Sequence, residues 1–358
     1  MMFLLMIQNV SGRCCHVPIV SQMARKGKRG VDFFGGTKYT IGVFWSMGGG
    51  ITMEMAWIIL KQTLVMALYM AGGFALYKGG KITKEGSRTL ASTLLWLIIP
   101  VVLVRSFCVE FTHEKLVMLG QSFLLSTLAM AISIAMGLLI FPRHKLDSFS
   151  AAFSNCGFMG IPLVTAAFDD SVVFFLCGIL MWVNVLQWTW GSAHISAKKL
   201  TFSFKEIILA PFTVATVLGL LLFLTGWGVR LPAVVQEAMA GIAGLNGPVA
   251  MMVLGVYLAQ TKLSKLFFIP RLYWVSTVRM WIIPLVTLFF FWLLPIDRTI
   301  CMTVLISAAA PVGANVAVYA QMYDADYPYA CQTVALCTVL SILMMPPFIM
   351  VASAVLGI

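Results

Sequence analysis

Charge is what this sequence has least of. Of its 358 residues only 10% are charged, while 61% are hydrophobic and the mean hydropathy is +0.96. A soluble fold carries about 25% charge to keep its surface in water, so an ordinary soluble protein is excluded and the solvent of this chain is largely lipid. C-x-x-C pairs are absent. The eight cysteines, Cys14, Cys15, Cys108, Cys156, Cys177, Cys301, Cys331 and Cys337, read as small reduced side chains rather than disulfides or metal ligands. Four dispersed histidines, His16, His113, His144 and His194, offer no metal constellation, and no cofactor is expected. Despite a net charge of +11, the bases form no stripe that could follow a phosphate backbone, so nucleic acid is not an expected partner.

What the chain has instead is long apolar runs. A helix crosses a hydrocarbon core of about 30 Å with roughly twenty residues at about 1.5 Å each. Ten stretches approach that length: 57–77, 88–104, 116–141, 148–168, 172–194, 207–227, 234–260, 271–294, 299–323 and 327–356. Uninterrupted rather than alternating runs select helices over a barrel, so the fold class expected is an all-α polytopic membrane protein. Residues 1–52 stand apart, with the basic cluster Arg25, Lys26, Lys28 and Arg29 and no run long enough to span. Gly48-Gly49-Gly50 just ahead of Met53 has the look of a translated purine-rich ribosome-binding site, which predicts Met53 as the natural start. Residues 1–52 are then a mis-annotated or disordered extension.

Basic residues are retained on the cytoplasmic side. Alternate loops hold Lys78, Lys81, Lys84, Arg88, Arg143, Lys145, Lys198, Lys199, Lys205, Lys262, Lys265 and Arg271, against Arg105, Lys115, Arg230 and Arg298 in the opposite set. Twelve against four predicts a cytoplasmic first set, with both ends of the Met53 form outside and the inner membrane of a bacterium as the location.

Comparable spans recur at offsets near 150, which divides the chain into a five-helix repeat over 53–194, a short cytoplasmic linker at 195–206 and a second repeat over 207–358. An odd number of spans per unit inverts the second copy, the architecture of many secondary transporters. Pro162, in SNCGFMGIPLVTAAF, and Pro311, in ISAAAPVGANVAVYA, lie at matching places in the fourth and ninth spans. With Gly157, Gly160 and Gly313 nearby, they predict helices broken at membrane depth, with two half-helix N-termini meeting at a site for negative charge. Asn155 and Asn315 flank the breaks; Gln187 and Asn246 join them as candidate substrate-binding groups. Arg279, about eight residues into the eighth span, either pairs with helix ends or carbonyls or attracts an anionic substrate. Acids lie in loops or at span ends, and no nucleophile, acid/base pair or metal set sits within the spans, so no catalytic residue is expected.

The strings SNCGFMGIPL at 154–163, WTWG at 188–191, NGPVAMMVLGVYLA at 246–259, PVGANVAVYAQMYDAD at 311–326 and TVALCTVLSILMMPPF near the end resemble the auxin efflux carrier family of permeases, bacterial branch. The resemblance covers about residues 53–358. It implies two inverted five-helix repeats, a scaffold part, a mobile transport part and crossing broken helices at the substrate site. It also implies a small organic anion as substrate: auxin in plants, dicarboxylates such as malate or malonate in bacteria. The long loop of the plant members is absent. The expected function is therefore a secondary permease for a mono- or dicarboxylate, working by alternating access. Its partners are the anion, the lipid bilayer and a second copy in a homodimer. A sodium-coupled carrier of the bile-acid-transporter type and a non-transporting sensor or interaction subunit are the other readings.

Overall fold

The computed structural model describes residues 50–168, 170–196, 209–260, 266–323 and 325–358. Expectations about residues 1–49, the linker bases Lys198, Lys199 and Lys205, the pair Lys262 and Lys265, and Asp169 and Asp324 lie outside these residues. The described chain is helical, without a β-strand, and the longest apolar runs form its longest helices.

Among the described helices seven are long and apolar enough to cross a membrane. They are α1 (Gly50–Lys78), α2 (Glu85–Ser106), α3 (His113–Ile140), α6 (Ser171–Ile195), α8 (Ala233–Gln260), α9 (Pro270–Leu293) and α12 (Tyr327–Leu356). The other three anticipated spans are shorter or interrupted. The sixth is α7 (Pro211–Thr225), ended by Gly226 at a left-handed φ of 67°. The fourth divides into α4 (Lys145–Ala152) and α5 (Cys156–Ala167), and the ninth into α10 (Arg298–Ala308) and α11 (Asn315–Met322). Side chains from the connections start several of these helices. Thr112 accepts from the Lys115 N–H, Asp297 from the Thr299 and Ile300 N–H groups, and Asp326 from the Tyr329 N–H.

Three Ile-Pro pairs leave the same mark. The N–H of Ile99, Ile161 and Ile283 reaches five residues back, to Leu94, Cys156 and Val278, and each donor directly precedes a proline. Proline has no N–H, and its ring clashes with the carbonyl four residues back; widening the preceding turn to π geometry relieves that clash while keeping the ladder bonded. A fourth π turn, Gln187–Gly191, has no proline. Instead Gly191 lies where a Cβ would press on the rings of Phe149 and Phe153.

Packing joins α1 to α8 and α12, α2 to α7 and α8, and α3 to α4, α6 and α10. The α1–α8 seam is the tightest. A Cβ on Gly73 would lie 2.2 Å from the Met252 carbonyl oxygen, and one on Gly255 would lie 1.9 Å from that of Met70. Reciprocal glycines thus let two backbones touch, the small-residue packing that substitutes for a hydrophobic driving force between helices in lipid.

Asp147, expected as a span-end acid, is 1% exposed and bonded across the fold. It accepts from Arg271 Nε at 2.5 Å and from the Tyr329 hydroxyl at 2.8 Å, while the Arg271 guanidinium lies 4.9 Å from the Tyr329 ring centre. This ties the first turns of α4, α9 and α12 together at one end of the bundle.

Candidate functional site

The two interruptions meet. Phe153–Asn155 and Pro311–Gly313 run antiparallel past each other, with Ser154 opposite Val312. The Asn155 N–H donates to the Pro311 carbonyl at 2.8 Å and the Gly313 N–H to the Phe153 carbonyl at 3.0 Å. The Val312 N–H is taken by Cys337 Sγ of α12 at 3.3 Å. Backbone that has left a helix at depth in the bundle must find partners inside the protein, and here each break serves the other. Gly313 keeps the contact close, since a Cβ there would stand 3.2 Å from the Ser154 carbonyl oxygen.

This geometry corrects the sequence pattern in two places. The first break falls at Ser154-Asn155 rather than at Pro162, which lies within α5, in its first α-helical turn after the π segment, where its missing donor is relieved by that π turn. Pro311 lies in the second break, as expected, and supplies a carbonyl to it. Gly160 does not reach the crossing cavity: it faces Ser307 of α10, whose Oγ would be 2.5 Å from a Cβ.

Beyond the crossing, the first turns of α5 and α11 open on a cavity of about 30 Å³, enough for water but not for an organic anion. Asn155, Gly157, Gln187, Gly313 and Asn315 all line it, so five of the ten expected site residues converge; Asn184 joins them. Asn315 Nδ2 donates to Gln187 Oε1 at 3.1 Å, which turns the Gln187 amide nitrogen away. That nitrogen and the Nδ2 of Asn155 are both buried without a hydrogen-bond partner, on residues 1% and 5% exposed. A buried donor left unpaired costs about 1–3 kcal/mol, and both belong to residues that line this cavity. Among the described residues that line the cavity there is no carboxylate.

Asn246 links this chamber to a larger one. Its Nδ2 donates to the Gly157 carbonyl at 3.2 Å, and its Oδ1 is buried and unpaired. It also lines a cavity of about 640 Å³, a volume typical of small-molecule sites. Pro162 shares that lining with Gln62, Tyr69, Arg105 and Gln236, none of which the sequence had singled out as a site residue. The missed signal is periodic: Gln62, Val65, Met66 and Tyr69 line the cavity at helical spacing along one face of α1. Arg279 lines neither chamber. It is 1% exposed, and its guanidinium is directed at the carbonyls of Ala151, Ala152, Ala308 and Ala310, on the opposite side of the crossing.

A family model described as membrane transport protein matches the chain twice, over residues 58–201 and 195–349. No curated protein matches it.

Proposed function

Since the chain belongs to the membrane transport protein family of the auxin efflux carrier type, and is thus an integral membrane protein of a family of transporters rather than enzymes, we propose that it is a secondary carrier for a small organic anion. The observation that carries this reading is the pair of unpartnered amide donors, Asn155 Nδ2 and Gln187 Nε2, buried where the starts of α5 and α11 converge. A helix N-terminus holds roughly half a positive charge. Two such ends with side-chain donors between them bind a carboxylate without a cation in the wall.

In this reading ten spans form two inverted five-helix repeats. The reciprocal bonds between the two breaks, and the pairing of one interrupted helix in each half, support that arrangement. The basic-residue bias puts the Arg105 end outside, so the larger cavity is an outward vestibule and the smaller one the closed binding chamber. The anion enters past Asn246, whose bond to Gly157 separates the two. Alternating access requires the chamber to widen, because its present volume admits only water. Carboxylates then move down their own gradient and the membrane potential.

Uptake by purified protein in liposomes tests this. A panel of labelled mono- and dicarboxylates is expected to include at least one taken up saturably, and faster when the interior is made positive. A panel without saturable flux overturns the reading.

A further inference from the structure

Arg279 is the largest fully buried side chain described, yet among the described residues it has no carboxylate partner, and it touches no cavity in the proposed path. A buried charge is costly unless paired. Here the compensation comes from backbone. Nη1 donates to Ala151 and Ala152 at 2.7 and 3.2 Å, Nε to Ala310 at 3.3 Å, and Nη2 to Ala308. Ala151 and Ala152 end α4; Ala308 ends α10 and Ala310 follows it. The carbonyls of a helix C-terminus lack intrahelical partners and carry about −0.5 charge. Two such ends facing one guanidinium sum to about −1 against +1.

From this balance we infer that Arg279 is the internal counter-cation of the crossing, a positioning residue that pins the C-terminal ends of α4 and α10 together. It thereby fixes the register of the two breaks that follow them. Its rigid fork suits four carbonyls on two helices in a way that one ammonium does not. Its position is set by the π turn Val278–Ile282, which Pro284 imposes on α9. Neutralising the negative ends leaves the positive starts of α5 and α11 uncompensated on the other side, where the Asn155 and Gln187 donors lie. The role of Arg279 in joining the helix ends is independent of what is transported; only the last consequence, an anion at those starts, rests on the carrier reading.

The test reads thermal unfolding in detergent, without transport. Arg279→Ala is expected to unfold several degrees below wild type, and millimolar guanidinium ion is expected to restore most of that loss saturably. Sodium or tetramethylammonium at the same ionic strength should not. Arg279→Lys, which keeps the charge, should be more stable than Arg279→Gln, which keeps hydrogen bonding and much of the volume without it. Should the alanine variant not accumulate, the Lys and Gln variants decide. Gln equal to or above Lys, or a guanidinium effect no larger than that of sodium on the alanine variant, overturns the assignment. Failure of the carrier reading would appear only as absent flux in liposomes, with these stabilities unchanged.

Discussion

Gly255→Ala is expected to destabilise the protein by about 3 kcal/mol or more, and Gly255→Val to abolish accumulation of folded protein. Overpacking usually costs about 1–3 kcal/mol because neighbours shift their rotamers. At Gly255 the atom in the way is the Met70 carbonyl oxygen, 1.9 Å from the added carbon, and backbone cannot rotate aside. The whole α1–α8 seam would have to part, at a place where lipid offers no hydrophobic compensation. Gly73, which faces the Met252 carbonyl at 2.2 Å, is expected to respond in the same way. Gly72, next to it, has nothing within 4 Å of an added Cβ and serves as the control: Gly72→Ala should leave thermal unfolding in detergent unchanged or raise it slightly. Equal effects at positions 72 and 255 would contradict the close contact.

Asn155→Ala is expected to lower saturable carboxylate uptake at least about tenfold while leaving the protein as stable as wild type or more so. The two effects have opposite signs for one reason. In the unliganded protein the Asn155 Nδ2 is a buried donor without a partner, so its removal relieves a cost. With a carboxylate bound, the same group makes a charge-assisted hydrogen bond, whose loss at about 1.5–3 kcal/mol corresponds to roughly tenfold or more in affinity. Uptake and thermal unfolding measured on the same preparation check both signs. A variant that loses stability and flux together would make Asn155 a structural residue.

How much of this was legible in the sequence differs by element. The long helices were, because twenty apolar residues without alternation have few alternatives in lipid. The second break was as well, since Pro311 stands in it. The first was legible as a break in the fourth span but not in its place: Ser154-Asn155 carries no proline, and the interruption is sustained by bonds to residues 311–313, a tertiary contact that local composition does not encode. Pro162 was conspicuous but acts one step removed, through the π turn before it. Asn155, Gln187 and Asn315 could be singled out as polar groups in apolar runs; their convergence on one chamber depends on the crossing. Arg279 left two readings open because its partners come from helices 127 and 29 residues away in the chain. Asp147 was legible as an acid but not as a buried one, since Arg271 and Tyr329 lie 124 and 182 residues further on.

The central claim is that a carboxylate is held at the starts of α5 and α11. Asn155→Asp tests it most directly, because it builds a carboxylate into the chamber, where the two helix N-termini favour its ionised form. In liposomes at neutral pH, folded Asn155→Asp protein is expected to lose saturable uptake of every carboxylate that wild type transports, since the site already holds its anion. Uptake by the aspartate variant at the wild-type rate would contradict the claim.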